Sequence, residues 1–163
     1  MNLVFPGTFN PFHLGHLDIV KRASTYLREG ETLYIGLAVN PNKPATFMTI
    51  QDRVYVIERS CQQACLKNVL VEKYTDSTIS YCQLRKAQLV RGLRNSTDFE
   101  YEKPMAVVNK EFGIETMFFM TDSRYEHISS SLIRNMLDVK LSIDKYIPSS
   151  VLDVVNATRK TVI

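Results

Sequence analysis

Apolar and polar positions alternate along the chain between short apolar runs and longer stretches with helical spacing. Asn2–Phe5, Thr32–Val39, Val69–Lys73, Ala87–Val90 and Glu115–Met120 are strand-sized runs. Between them, His16–Arg28 places Leu17, Ile19, Val20, Ala23 and Leu27 on one helical face. Thr49–Leu66, Ser77–Arg85, Asp98–Phe112 and Ser129–Leu137 are predicted helices as well. The residues after Ser142 also read as helical, with Pro148 marking a helix start. Strand–helix alternation at this spacing predicts an α/β fold, a parallel sheet with helices on both faces. In such sheets ligands gather beyond the carboxyl ends of the strands. No repeat, low-complexity tract or linker interrupts the pattern, and one domain over residues 1–163 is expected.

Composition narrows the class without naming a chemistry. Apolar residues make up 45% and charged residues 23% of the 163 positions, a globular rather than a disordered balance. No apolar run is long enough to span a bilayer, and a glycine-containing loop follows Met1–Phe5 where a signal peptide would need its apolar stretch. Cys61, Cys65 and Cys82 lack metal-ligand spacing and read as reduced thiols, with Cys61 and Cys65 expected on one helix face. A cytoplasmic location is the expectation. The net charge of +3 permits an anionic partner. No basic stripe with interleaved aromatics is present, so neither nucleic acid nor membrane is an expected partner. The positive charges of interest, Lys43, Arg91, Arg94 and Arg134, lie next to predicted loops.

Four segments carry candidate chemistry, nearly all at predicted strand ends. In Phe5-Pro6-Gly7-Thr8-Phe9-Asn10-Pro11-Phe12-His13-Leu14-Gly15-His16, Gly7 is expected to permit a sharp turn after the strand. Thr8 brings a hydroxyl and an amide to the strand end, and Gly15 clears space for a ligand. His16 is expected to open a helix, where unpaired N–H groups and the dipole favour anions. The bland alternative is a connection with two surface histidines. Asn40-Pro41-Asn42-Lys43-Pro44 puts a lysine in a proline-flanked loop, suited to a phosphate or simply to solvent. Val90-Arg91-Gly92-Leu93-Arg94 sets two arginines around a glycine, followed by Asp98-Phe99-Glu100-Tyr101-Glu102. Guanidinium forks suit oxyanions, and the same string could equally form a salt-bridged turn. Ile128-Ser129-Ser130-Ser131-Leu132-Ile133-Arg134 begins a helix with three serines, more than a cap requires.

Gly-Thr-Phe-Asn-Pro followed by His-x-Gly-His resembles the signature of the nucleotidyltransferase superfamily. The Arg-Gly-Leu-Arg…Asp-Phe-Glu-Tyr-Glu and Ile-Ser-Ser-Ser-x-x-Arg blocks are similar to those of bacterial phosphopantetheine adenylyltransferases, in the same order and at similar spacing across nearly the whole chain. The resemblance implies a single-domain, Rossmann-like, doubly wound sheet of five parallel strands. It implies that ATP and 4′-phosphopantetheine give dephospho-coenzyme A and pyrophosphate, with coenzyme A a further candidate ligand. Mg²⁺ is expected to arrive with ATP rather than in a protein cage. Carried over residue by residue, His16, Lys43 and Arg91 are the implied catalytic residues. Thr8, Lys43, Thr78 and Arg91 match contacts to the acceptor, Thr78 in a segment that departs from the family pattern. Thr8, Phe9, His16, Gly92, Leu93, Arg94 and Glu102 match ATP contacts. Tyr125, Glu126, His127, Ile128, Ser129, Ser130 and Ser131 match the final ATP loop, although several relatives have tryptophan at the place of Tyr125. Some relatives carry threonine at the place of His13, which is therefore expected to be replaceable.

One departure points elsewhere. The family often has aspartate where this chain has Asn10, and Gly-Thr-Phe-Asn-Pro with His-x-Gly-His is common in nicotinate- or nicotinamide-mononucleotide adenylyltransferases. Read alone, the first segment favours that alternative, but the arginine block, the triple serine and the short length outweigh it. The family implies a homohexamer.

Overall fold

The computed structural model describes residues 1–39 and 47–160, with side chains described through residue 157. Lys43 and its loop lie outside the described residues. Five strands, β1 (Asn2–Gly7), β2 (Leu33–Ala38), β3 (Val69–Tyr74), β4 (Ala87–Leu93) and β5 (Thr116–Met120), form one sheet in the order β3-β2-β1-β4-β5. Every neighbouring pair is parallel. The helices are α1 (Leu14–Ser24), α2 (Ile50–Gln63), α3 (Thr78–Arg85), α4 (Ser96–Glu111), α5 (Ser130–Asp138) and α6 (Ser149–Lys160).

Side chains alternate between the sheet's two faces, as the pleat requires. Leu3, Phe5, Leu33, Ile35, Leu37, Val90 and Phe119 share the larger core with apolar residues of α1, α2, α5 and α6. Val4, Ala87 and Leu89 face the other way and pack with Tyr81 and Cys82 of α3. Phe99 of α4 lies edge-on to Phe118, the ring centroids 5.6 Å apart. Helices therefore cover both faces, as the alternation predicts.

The boundaries differ from expectation where local hydrogen bonding intervenes. α1 stops at Ser24 rather than Arg28 because Ser24 Oγ and Thr25 Oγ1 donate back to the carbonyls of Lys21 and Arg22, both at 2.7 Å. Cys61 and Cys65 do not share a helix face. α2 closes in a Schellman motif, with the Leu66 amide on the Cys61 carbonyl and the Cys65 amide on that of Gln62. Cys65 takes the left-handed position at φ 57 and is exposed, while Cys61 is buried. The helix expected after Ser142 starts only at Ser149, behind Pro148, and Ile143 and Ile147 reach the core from irregular chain. Both β1 and β4 run longer than expected, so Gly7, Arg91 and Gly92 are strand residues.

Candidate active site at the switch point of the sheet

β1 is hydrogen-bonded to β2 on one side and to β4 on the other, so the connections leave it in opposite directions. Beyond the carboxyl ends of β1 and β4 the two sets of loops diverge and open a cleft. The cleft has a volume of about 480 Å³. Its walls are the end of β1, the first turns of α1 and α5, the end of β4 and the start of α4.

The turn out of β1 is made at Phe9, not at Gly7. Phe9 has φ 48, and the Asn10–Pro11 peptide that follows is cis. Phe9 folds its ring back over the strand. A Cβ on Gly7 would lie 2.8 Å from that ring, so Gly7 provides space rather than a bend. Asn10 is buried, and its side-chain oxygen accepts from the Met48 amide at 3.1 Å. Asn10 thus ties the loop to the chain preceding α2, a structural duty that says nothing about the acceptor.

His13 and His16 form a reciprocal cap. His13, the residue before α1, accepts from the His16 amide through Nδ1, and His16 Nδ1 accepts from the His13 amide, both at 3.3 Å. The rings stack with centroids 3.5 Å apart. His16 therefore does not open the helix; it is the third helical residue and completes a capping box. The buried His13 ring holds the helix start, so a replacement there would have to supply another cap. A hydroxyl could cap there as well. Gly15 makes room for the pair, as a Cβ there would lie 3.2 Å from the His13 ring. Phe5, Phe9 and Phe12 enclose His16 with ring centroids 5.0 to 6.2 Å away. Burial, then His13, then the charge of Arg94 hold its pKa well below the usual histidine value. Burial and Arg94 pull His13 down to about 3. Both rings are neutral at physiological pH. An Nδ1 that accepts carries no proton, so His16 has its proton, and its donor, at Nε2.

The serine segment meets the first loop. Ser129 caps α5 by accepting from the Leu132 amide at 3.1 Å. Ser130 Oγ donates to the Pro11 carbonyl at 2.9 Å, and Arg134 Nη1 to that of Asn10 at 2.7 Å. Ser131 Oγ accepts from Arg134 Nη2 at 3.1 Å. The three hydroxyls are thus engaged within the protein. The amides of Ser130 and Ser131, first in the helix, lie beyond the reach of its own ladder and suit an anion.

On the opposite wall, Arg91 pairs with Glu102 and Arg94 with Asp98, and all four line the cleft. Gly92 lets β4 pass close to α1; a Cβ would lie 3.1 Å from Ile19 Cγ1.

Of the other predicted residues, Thr8, Phe9, Tyr125 and Ile128 line the cleft, as do Ser129 and Ser130. Leu93 is buried and is not in its lining. Glu126, His127 and Ser131 are not in its lining; His127 packs edge-on to Tyr146 instead. Thr78 lies apart, at the start of α3, where its hydroxyl is 3.0 Å from that of Tyr74. Asp98 and Tyr101, quoted in the arginine block without an assigned contact, line the cleft, as does Thr121, which was not singled out. For Asp98 the salt-bridged turn offered as the alternative reading of that string is what forms, an acid four residues after an arginine. Thr121 reaches the site only because β5 pairs with β4. Among the described residues, no group of three or more His, Cys, Asp or Glu side chains could hold a metal. No described helix is long and apolar enough to cross a membrane.

Known proteins resemble the chain in sequence and in fold. A bifunctional NMN adenylyltransferase/ADP ribose pyrophosphatase of Francisella tularensis superposes with a TM-score of 0.67 at 17% identity, over 90% of this chain and 44% of that one. That likeness concerns the fold. The phosphopantetheine adenylyltransferase of Corynebacterium efficiens is 37% identical over 95% of this chain and 96% of its own length. That of Nostoc punctiforme is 40% identical over 91% of this chain and 79% of its own. With residues 4–136 also matching the cytidylyltransferase-like family, the chain belongs to the phosphopantetheine adenylyltransferases, enzymes of the nucleotidyltransferase superfamily.

Proposed function

We propose that the protein transfers the adenylyl group of ATP to 4′-phosphopantetheine, releasing pyrophosphate and giving dephospho-coenzyme A. The observation that carries this reading is the likeness to phosphopantetheine adenylyltransferases over almost the full length of both chains. A cleft at the switch point, with two arginines facing two helix N-termini, is suited to a pair of phosphorylated substrates.

The acceptor's phosphate attacks the α-phosphorus of ATP in line, and the bond to the β-phosphate oxygen breaks. A phosphate monoester loses its second proton near pH ~6, so at neutral pH it is a nucleophile without a general base. Catalysis is then positioning and charge stabilisation. Arg91, with Lys43, holds the attacking phosphate. His16 donates through Nε2 to oxygens about the α-phosphorus and the leaving group, with Thr8 beside it. Arg94 and the amides at the start of α5 hold the β- and γ-phosphates. Mg²⁺ brought with ATP would neutralise phosphate charge, and among the described residues no cluster of His, Cys, Asp or Glu is assigned to hold it. The reaction runs in the cytoplasm on one domain spanning residues 1–163.

The chain assembles as a homohexamer. In support, α4 and its C-cap residue leave Tyr101, Met105, Val108 and Phe112 exposed, apolar surface that a second copy can cover. Light scattering showing only monomer at micromolar concentration would refute the assembly.

The reaction is tested by pyrophosphate release with ATP, Mg²⁺ and a panel of acceptors. Phosphopantetheine should turn over and mononucleotides should not. Turnover of nicotinate mononucleotide with none of phosphopantetheine refutes the reading.

A further inference from the structure

The two cleft arginines are each partly used before any substrate arrives. A guanidinium has five N–H donors. At Arg91, Nε donates to Glu102 Oε2 at 2.8 Å, Nη2 to Glu102 Oε1, and Nη1 to the Pro6 carbonyl at 3.3 Å. Two N–H groups remain, one on each Nη. At Arg94, Nε donates to Asp98 Oδ2 at 2.9 Å and Nη2 to Oδ1 at 3.0 Å, while the backbone amide also reaches Oδ2 at 2.9 Å. Three side-chain N–H groups remain there, two on Nη1 and one on Nη2. In both pairs the carboxylate grips the edge formed by Nε and Nη2. Asp98 and Glu102 are four residues apart on α4 and so occupy one helical face, a turn apart.

We propose that Asp98 and Glu102 are positioning residues, which clamp the Nε–Nη2 edges of Arg94 and Arg91 and so leave the Nη1–Nη2 edges of both arginines to the substrates' phosphate oxygens. Glu102 then acts through Arg91. A fork with one edge fixed loses less freedom when the other edge closes on phosphate. The arrangement costs charge. These four side chains sum to zero, so this wall attracts anions less than two unpaired arginines would. That cost gives the proposal a sign. If the carboxylates acted only through charge, neutralising one would tighten anion binding. If they orient the arginines, neutralising one weakens it.

The inference rests on the proposed reaction, in which Arg94 serves ATP and Arg91 the acceptor. Its test is calorimetric titration of ATP into wild type, D98N, R94K and D98N/R94K, with thermal melting of each. D98N should weaken ATP binding about tenfold, the scale of one charge-assisted hydrogen bond, and add nothing once Arg94 is lysine. E102Q should raise the KM for phosphopantetheine about tenfold, and add nothing once Arg91 is lysine. Tighter or unchanged ATP binding by D98N, or the same loss in the R94K background, overturns the proposal. If D98N lowers the melting temperature too far to titrate, E102Q with R91K forms the same cycle, titrated with inorganic phosphate, and additive losses there overturn it equally. Wild type that binds ATP but leaves phosphopantetheine unreacted refutes the acceptor, while the ATP cycle still decides the clamp.

Discussion

Two helix N-termini face the cleft, and they are finished differently. α1 is capped by imidazoles: His13 and His16 close each other's amides and stack, and His16 is packed among three phenylalanines. α5 is capped by hydroxyls: Ser129 closes the helix, and Ser130 and Arg134 bind the first loop. The same local need, donors beyond the helical ladder, is thus met in two different ways at two candidate anion sites. At α1 the cap is the source of the functional group, since fixing Nδ1 as acceptor leaves Nε2 as donor. At α5 the side chains are spent on the fold, and main-chain amides are left for the ligand.

The largest test of this contrast separates cap from donor at α1. Glutamine is favoured at the third helical position of a capping box. His16→Gln should therefore keep the helix start but misplace the donor, lowering kcat by roughly 10²–10³, about 2.7–4 kcal/mol of transition-state stabilisation. Steady-state kinetics with circular dichroism as the folding control reads this. A folded variant with near-normal kcat removes His16 from the transition state.

Acid should distinguish the two termini next. The pKa of His13 is pulled down to about 3, first by burial and then by Arg94. The unfolded chain protonates this ring near pH ~6.5. Below that pH the unfolded state binds a proton that the folded state refuses. Stability is then full above pH ~6.5 and falls by about 1.4 kcal/mol per pH unit for this ring as pH drops toward the folded value. His16, shifted in the same direction, adds to the loss. Urea titrations at several pH values check the slope. His13→Thr, which keeps a cap without a titrating group, should make it shallower, and an unchanged slope contradicts the assignment.

Smaller still is the cap itself. His13→Ala should cost about 1–2 kcal/mol of stability and lower kcat as the His16 ring loses its stacked neighbour, while His13→Thr should restore most of the stability. Equal melting temperatures for the two variants would deny His13 its capping role. At α5, Ser130→Ala should cost about 0.5–1.5 kcal/mol of stability, the worth of one hydrogen bond. Because the amide survives, ATP affinity should fall less than in D98N; a larger fall shows that the hydroxyl itself binds ATP.

Much of the fold was legible because buried parallel strands and amphipathic helices impose different periods on a sequence, and the two alternate here without interruption. Ends were less legible. Ser24 and Thr25 stop α1 by side-chain bonds to its last carbonyls, and Cys65 accepts a left-handed position more often given to glycine. The candidate site was legible as four segments, but their roles were not. Gly7 read as the turn because glycine bends freely, whereas Phe9 makes the turn and Gly7 admits its ring. Asn10 read as a clue to the acceptor, and its burial against Met48 makes it a tie between loops.

The sequence by itself determined the layering of the sheet, the segments that end at its carboxyl edge and the family, because periodicity and residue strings are properties of the chain alone. Which residues meet was decided by the tertiary structure. Insertion of β1 between β2 and β4 brings residues near position 8, position 91 and position 129 into one cleft. Burial there turns two histidines of ordinary pKa into neutral rings, and the phase of α4 sets Asp98 and Glu102 against the two arginines. Desolvation and edge-to-edge hydrogen bonding depend on neighbours distant in sequence, so only the folded chain could specify them.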